Sequence, residues 1–199
     1  MLVEFLLEEP SAEAALQELA PKLMPGAELR FHNFQGKTNL LKNLEARLRG
    51  FARWNNPDLR VVVLVDRDDD DCLELKGILE TAAARAGLVT KTQAQEGVFT
   101  VLNRIAVEEV EAWFFGDVPA MKAAYSRLPA SLGSKAKYRF PDGIVGGTWE
   151  ALEAVLMRHG YHRGGLAKVQ AAREIAPHMD PARNLSQSFQ VFVAGLLTL

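Results

Sequence analysis

The chain has one cysteine, Cys72, in 199 residues, which excludes an internal disulfide. It also lacks the roughly 20 uninterrupted apolar residues that cross a bilayer; the greasy stretch from Val191 to Leu199 is too short and reads as a final packed helix. No basic segment at the amino terminus leads into a long apolar stretch with a small-residue cleavage site, so the expectation is a cytoplasmic protein with no membrane partner. Repeats, heptad arrays and low-complexity tracts are missing. Excess positive charge is missing too. Lys and Arg number 23 against 25 Asp and Glu, a net charge of -2. The halves differ, with 12 basic and 16 acidic side chains in residues 1–100 and 11 and 9 in residues 101–199. Balances of -4 and +2 exclude strong non-specific adhesion to nucleic acid by the chain as a whole, because that affinity comes from replacing phosphate counterions with Lys and Arg. His159 and His162 have the spacing of a metal pair, but no Cys or third His follows at a zinc-like interval, so structural roles are expected of them. No Ser-His-Asp constellation is arguable.

What is present is an ordinary globular composition, 48% hydrophobic and 24% charged, enough for one α/β core with a smaller appendage. Leu2 to Leu7 is strand-like, and Ala14, Leu16, Leu19 and Leu23 recur as a helix for which Ser11 is the expected cap. After a turn at Pro25-Gly26, Ala27 to Phe31 reads as a strand and Thr38 to Trp54 as a helix stopped by Asn55-Asn56-Pro57-Asp58. Arg60 to Val65 is the central strand; Asp71 to Ala86 is a helix ending at Gly87. Strand, helix, strand, helix, strand, helix implies a parallel sheet. Leu88 to Thr92 and Val98 to Val107 read as extended, with Gln93 to Gly97 a hairpin or a loop between them. A helix is expected from Glu108 to a break at Gly116-Asp117, an irregular lid-like stretch from Pro119 to Gly147, and helices over 148–159, 166–179 and from Ser188. Residues 1–115 are therefore read as the α/β domain and 116–199 as a loop and helical extension packed on it.

Two apolar runs empty into acids: Leu2 to Leu7 into Glu8-Glu9, and Val61 to Val65 into Asp66-Arg67-Asp68-Asp69-Asp70-Asp71. In an open parallel sheet, functional groups gather outside the carboxyl ends of the strands, so acids nearly sixty residues apart are expected at one point. Neighbouring carboxylates repel by roughly 1 to 4 kcal/mol, and a hard divalent ion relieves that repulsion. Mg²⁺ or Mn²⁺ is the expected cofactor.

A strand ending in Glu8, followed by Leu64-Val65-Asp66-Arg67-Asp68, resembles the Toprim domain of topoisomerases, bacterial primases and overcoming-lysogenization-defect nucleases. Many relatives have glycine after the glutamate; this chain has Glu9. A wider resemblance covers most of the chain. It rests on Glu8 to Glu13, His32 to Lys37, Asp66 to Asp71, Val107 to Trp113 and Asn184 to Phe189, and it points to a bacterial Toprim-like family described as domain-of-unknown-function family 4276. The resemblance implies an α/β, Toprim-like fold, a mainly parallel sheet flanked by helices with a helical carboxyl-terminal extension. It also implies a divalent-metal-dependent nuclease or other phosphodiester phosphoryl-transfer protein, with bacterial defence beside a partner ATPase as the implied setting. In that chemistry Glu8, Asp66 and Asp68 are catalytic and also hold metal, with Asp70 continuing their alternate spacing. Asp69 and Asp71 then point away or cap the next helix.

Glu109 and Glu111 follow at a strand-to-helix junction, and Glu111 is preferred as a further metal ligand for its place beside Trp113 in the family motif. Lys37, opening a helix after Gly36, is a candidate phosphate contact. Lys135, Lys137 and Arg139, with Tyr125 and Tyr138 interleaved nearby, have the make-up of a nucleic-acid contact. Ser186, Ser188 and Phe189 read as cap and staple of the last helix. Nucleic acid, a partner ATPase and a second copy of the chain are the expected partners. Two other classes stand beside the nuclease: a non-catalytic Toprim-shaped partner or regulator of an ATPase, and a receiver-type domain phosphorylated on Asp66. The receiver needs a lysine after a fifth strand, which residues 98–107 do not supply convincingly.

Overall fold

A computed structural model describes residues 1–95 and 97–199; the expected hairpin or loop over Gln93 to Gly97 falls partly on Glu96, outside the described residues. Four strands, β1 (Leu2–Leu7), β2 (Glu28–Asn33), β3 (Leu59–Asp66) and β4 (Val101–Ala106), form one parallel sheet in the order β2-β1-β3-β4. Alternation sorts their side chains into two layers. Val3, Phe5 and Leu7 of β1, Val62 and Leu64 of β3, and Leu102 of β4 share one apolar cluster, whereas Leu6, Val61, Val63, Val65 and Val101 belong to the other. A sheet buried on both faces needs a helical layer on each, and the central strand β3 accordingly reads as an unbroken apolar run from Val61 to Val65.

Helix α1 (Pro10–Leu23) covers the first face, and α2 (Lys37–Ala52) and α3 (Cys72–Arg85) cover the second. The chain therefore leaves β1 and β2 on opposite sides of the sheet. Ser11 is not the cap of α1: Glu9 holds that position without a side-chain bond, and Pro10 starts the helix because its missing N–H costs nothing there. Asp71 does cap α3, accepting from the N–H groups of Leu73 and Glu74. Gly87, at φ +76°, follows that helix in the left-handed conformation that glycine adopts freely. Leu88 to Thr92 forms no strand; only Thr90 makes an isolated bridge, to Val101.

The rest of the chain is helical: α4 (Glu111–Gly116), α5 (Val118–Ala124), α6 (Thr148–Arg158), α7 (Lys168–Ile175) and α8 (Gln187–Leu196). Short 3₁₀ turns over 132–143 occupy the stretch expected to be lid-like, anchored by fully buried Leu132. The apolar cluster of the first sheet face continues without interruption into Phe114, Leu152, Ile175, Phe189 and Phe192. Trp113 lies against Phe189 and Phe192 and donates its Nε1–H to Ser188 Oγ at 3.0 Å. Ser186 caps α8 as expected, accepting from the Phe189 N–H at 3.1 Å.

Residues 184–186 lie directly on the end of α4, where Leu185 N–H donates to the Gly116 carbonyl at 2.9 Å and Asn184 Nδ2 to that of Trp113 at 2.8 Å. A Cβ on Gly116 would meet Asn184 Oδ1 at 2.0 Å and the Ser186 nitrogen at 2.8 Å. Gly116→Ala is expected to lower stability by roughly 1 to 3 kcal/mol. Gly77→Ala, in the interior of α3 with nothing within 4 Å of the new methyl, is expected to raise it by about 0.5 to 1 kcal/mol. Urea denaturation midpoints check both, and equal effects would show that residues 184–186 do not press on α4.

Candidate metal and active site

The strand order reverses direction at β1: β2 lies on one side and β3 on the other, with their connecting helices on opposite faces. At such a switch point the chain parts and leaves a crevice outside the carboxyl ends of β1 and β3. Glu8 and Asp66 stand at its two lips. Glu8 Oε2 accepts the Asp66 backbone N–H at 3.1 Å, and Asp66 Oδ1 accepts the Val110 N–H at 3.1 Å. Both side chains are buried. The loop after β4 brings in Glu111, 1% exposed, and neither of its carboxylate oxygens has a partner.

Withdrawal from water dominates the acidities. Burial raises the Glu8 pKa, partly offset by the Asp66 N–H and the charge of Lys37. Burial raises that of Asp66 much further, reinforced by Glu111 and then Glu8. Glu111 is pushed up to about 7, again by burial first, with Lys168 opposing and Glu109 adding. Three carboxylates that resist ionisation for these reasons form a focus of unmet negative potential.

Asp68 and Asp70 behave differently. Asp68 takes a left-handed φ of +49°, and both carboxylates, about half exposed, bond Lys37 Nζ at 2.7 Å. Lys37 also donates to the Arg67 carbonyl at 3.0 Å, so its ammonium is held by the acidic loop. The hydrogen bonds from Arg67 N–H to Ala106 carbonyl and Asp68 N–H to Glu108 carbonyl prolong the β3–β4 pairing into that loop, and Arg67 pairs with Glu108. Gln35 and Glu108 share the left-handed conformation, at φ +56° and +60°. Non-glycine residues held there at the ends of β2, β3 and β4 are a sign of a shaped site.

Residues beyond those picked from sequence complete the ring. Lys168, the first residue of α7, reaches Glu9 at 3.5 Å and Glu109 at 3.4 Å and lies 5.3 Å from the centre of the Trp149 ring. Burial alone would lower its pKa, but Glu111, Glu109, Glu9 and Asp66 raise it well above the ordinary range. Glu109 Oε2 also accepts from Thr148 Oγ1 and the Trp149 N–H. Nothing local marks Lys168 in the sequence, since its role arises from the docking of α7. Glu4 was likewise unread: a fully buried carboxylate in β1, paired with Arg30 and with His32 Nε2 at 2.5 Å, where a charged residue interrupts an apolar strand.

Lys135, Lys137 and Arg139 lie exposed along the 3₁₀ turns, but the rings read as their stacking partners are occupied. Tyr125 is buried and bonds His162 Nε2 at 2.8 Å, and Tyr138 stacks on Phe115 at 5.0 Å. His159 Nδ1 bonds the Val155 carbonyl at 2.8 Å, consistent with a structural role for both histidines.

Among the described residues no three His, Cys, Asp or Glu side chains are drawn closely enough to cage a metal ion. Mg²⁺ does not need a cage, because it keeps several waters and binds through one or two carboxylates plus substrate oxygens. The unpartnered, buried oxygens of Glu111 and the hard oxygens of Glu8 and Asp66 fit such an ion.

A family model described as Domain of unknown function (DUF4276) matches residues 7–197. The chain belongs to that family. The matched span includes Glu8, Asp66, Glu111 and Lys168, so the family model covers β2 to β4 and the extension that closes on them. Comparison with curated proteins and with solved structures returned no match.

The raised pKa of Glu111 has a sign that can be measured. Between about 4.5 and 7 the folded chain holds a proton there that the unfolded chain has released, so stability falls as pH rises through that window. The full effect is on the order of 3 kcal/mol. In EDTA, Glu111→Gln is expected to melt higher than wild type at pH 8, with the gain shrinking towards pH 5. An identical difference at both pH values would rule out a strained, ionised Glu111.

Proposed function

We propose that this protein is a Toprim-type, divalent-metal-dependent nuclease or closely related phosphodiester phosphoryl-transfer protein. One observation carries the reading: carboxylates from the ends of β1 and β3 and from beyond β4 are buried at the carboxyl end of the sheet, with both Glu111 oxygens unpaired. Asp66 and Glu111 would hold Mg²⁺ or Mn²⁺ through one or two carboxylate oxygens with water completing the shell, Glu8 beside them would face the attacking water, and Asp68 and Asp70 are engaged by Lys37. When bound, the ion supplies Lewis-acid polarisation of a phosphodiester and charge compensation at the phosphorus.

The chain's own groups do the rest. Asp66 is oriented by the Val110 N–H on Oδ1, which leaves Oδ2 free. Glu8 spends Oε2 on the Asp66 N–H and keeps Oε1 for the attacking water; its raised pKa suits it to accept that proton. Lys168 fixes Glu9 and Glu109 and offsets the charge around Glu111. The resemblance in the Glu8 and Asp66-Arg67-Asp68 motifs supports the same roles, and from it come the further proposals of a partner ATPase, a homo-oligomer and work in bacterial defence in the cytoplasm.

A second reading, a non-catalytic partner of the same shape, is favoured by one feature: Lys37 and Lys168 already neutralise part of the acidic ring. Calorimetry and cleavage separate the two. Wild type is expected to bind Mn²⁺ and Mg²⁺ weakly, and Asp66→Asn combined with Glu111→Gln to bind neither. With metal, slow cleavage of a labelled nucleic acid is expected to fall roughly 10²- to 10⁴-fold in Glu8→Gln. Equal trace cleavage by wild type and Glu8→Gln would leave the non-catalytic reading as the better one.

A further inference from the structure

Helix α2 begins at the candidate site, where Lys37 bonds Asp68 and Asp70, and runs away from it along the second face of the sheet. Its inner side is apolar: Leu40, Leu44, Leu48 and Phe51 are buried at helical spacing. Its outer side is basic. Lys42, Arg49 and Arg53 are exposed and fall on one row, and Arg47 is exposed on a neighbouring one. Two carboxylates border this side: Glu45, in the same row and already taken by Arg49 at 2.6 Å and Arg85 at 3.7 Å, and Glu74 of α3, which lines a groove together with Lys42. Among the described residues Lys42 and Arg53 have no acidic partner. Shallow grooves flank the ridge, one lined by Lys42, Glu45, Arg49 and Arg53, the other by His32, Asn43 and Arg47.

The ridge ends in an aromatic. Trp54 is 49% exposed, and its ring is propped edge-on against buried Phe51, with centroids 5.0 Å apart and planes at 86°. That bracing leaves much of the indole open to solvent. Exposing so much of a tryptophan beside a row of cations goes against the ordinary preference for burying it. A row of phosphate-binding cations ending in an open stacking platform is the arrangement that holds a nucleic-acid strand without reading its sequence. From Lys42 to Arg53 the helix rises about 16 Å, the length of roughly five phosphates at 3.4 Å per nucleotide of one strand.

We propose that the outer face of α2, from Lys42 to Trp54, binds a single nucleic-acid strand and leads its backbone to the carboxylate crevice at the start of the helix. The proposal rests on the nuclease reading for its purpose, but the surface stands on its own charges and ring. It resolves a difficulty of net charge, since a chain of -2 needs a concentrated basic strip to hold a polyanion. It also gives the strand a stacking ring where Tyr125 and Tyr138 offer none.

Fluorescence anisotropy with a labelled single-stranded 20-mer, as DNA and as RNA, tests it on the full chain in EDTA at 50 to 200 mM KCl. The triple variant Lys42→Gln, Arg49→Gln, Arg53→Gln is expected to lose at least tenfold in affinity at 100 mM. Its salt dependence should flatten by about 2 in log-log slope, three phosphate contacts at roughly 0.7 each. Trp54→Ala is expected to lose roughly 5- to 100-fold on the single strand with the slope unchanged. The variant Lys135→Gln, Lys137→Gln, Arg139→Gln is the comparison, and circular dichroism melts confirm that each variant is folded. Unchanged binding in the α2 triple overturns the proposal, as does a loss confined to the comparison variant, absence of binding by wild type, or binding only to phosphatidylserine vesicles through the same residues. Calorimetry separates the two readings. Metal binding with no effect of the α2 triple removes this surface and leaves the metal site standing, whereas a strong effect in a protein that binds no metal does the reverse.

Discussion

Two backbone-to-carboxylate hydrogen bonds, Asp66 N–H to Glu8 and Val110 N–H to Asp66, tie the ends of β1 and β3 to the segment after β4. Each couples the position of an acid to the pairing of strands beneath it. The sheet is buried on both faces, and its acids Glu8 and Asp66 stand beyond the carboxyl ends of the strands. Carboxylates placed there are fixed by the same backbone that makes the fold, and they are stripped of water by the helices that cover it.

That desolvation explains why Lys168 matters. Without a cation nearby, Glu109 and Glu9 would add unopposed to the cost of ionising Glu111, and Glu111 and Glu9 to that of Asp66. A lysine supplied by α7 lowers that cost, and it does so from a part of the chain more than fifty residues beyond the strands. The carboxyl-terminal helices thus have two effects. They bury the first face of the sheet through Phe189, Phe192 and Ile175, and they deliver the counter-charge. Lys37 plays a matching part at the opposite side of the crevice, holding Asp68 and Asp70 in a loop outside the buried group.

The two faces of the molecule are correspondingly unlike. On the first, β1 and α1 disappear beneath α7 and α8, and the apolar cluster runs on through the extension. On the second, α2 and α3 form the outermost layer, and α2 turns a row of cations to solvent. The acidic crevice lies at the end shared by both. An anion approaching the carboxylates meets repulsion there unless cations offset it, and α2 carries Lys42, Arg47, Arg49 and Arg53 exposed on its outer side.

From the sequence the three strands that frame the site were legible, because fully buried parallel strands are apolar throughout and here they end in acids that apolar burial cannot explain. Glu8 and Asp66 followed from that contrast, whereas Glu111 was marked by its place beside Trp113 in the resembling family motif. The cap at Asp71 was legible too, as a matter of local spacing. Other features needed the folded chain. Leu88 to Thr92 reads as extended yet has little pairing open to it, since β4 takes the place beside β3. Asp68 and Asp70 match a metal-binding spacing, but a left-handed turn at Asp68 directs both to Lys37, which no period in the sequence encodes. Local sequence determined which residues are buried in strands and which acids stand at their ends, because burial and capping act over a few residues. Only the tertiary structure decided which charges meet, since Lys168 reaches Glu109 through the docking of a helix that shares no local pattern with the strands it completes.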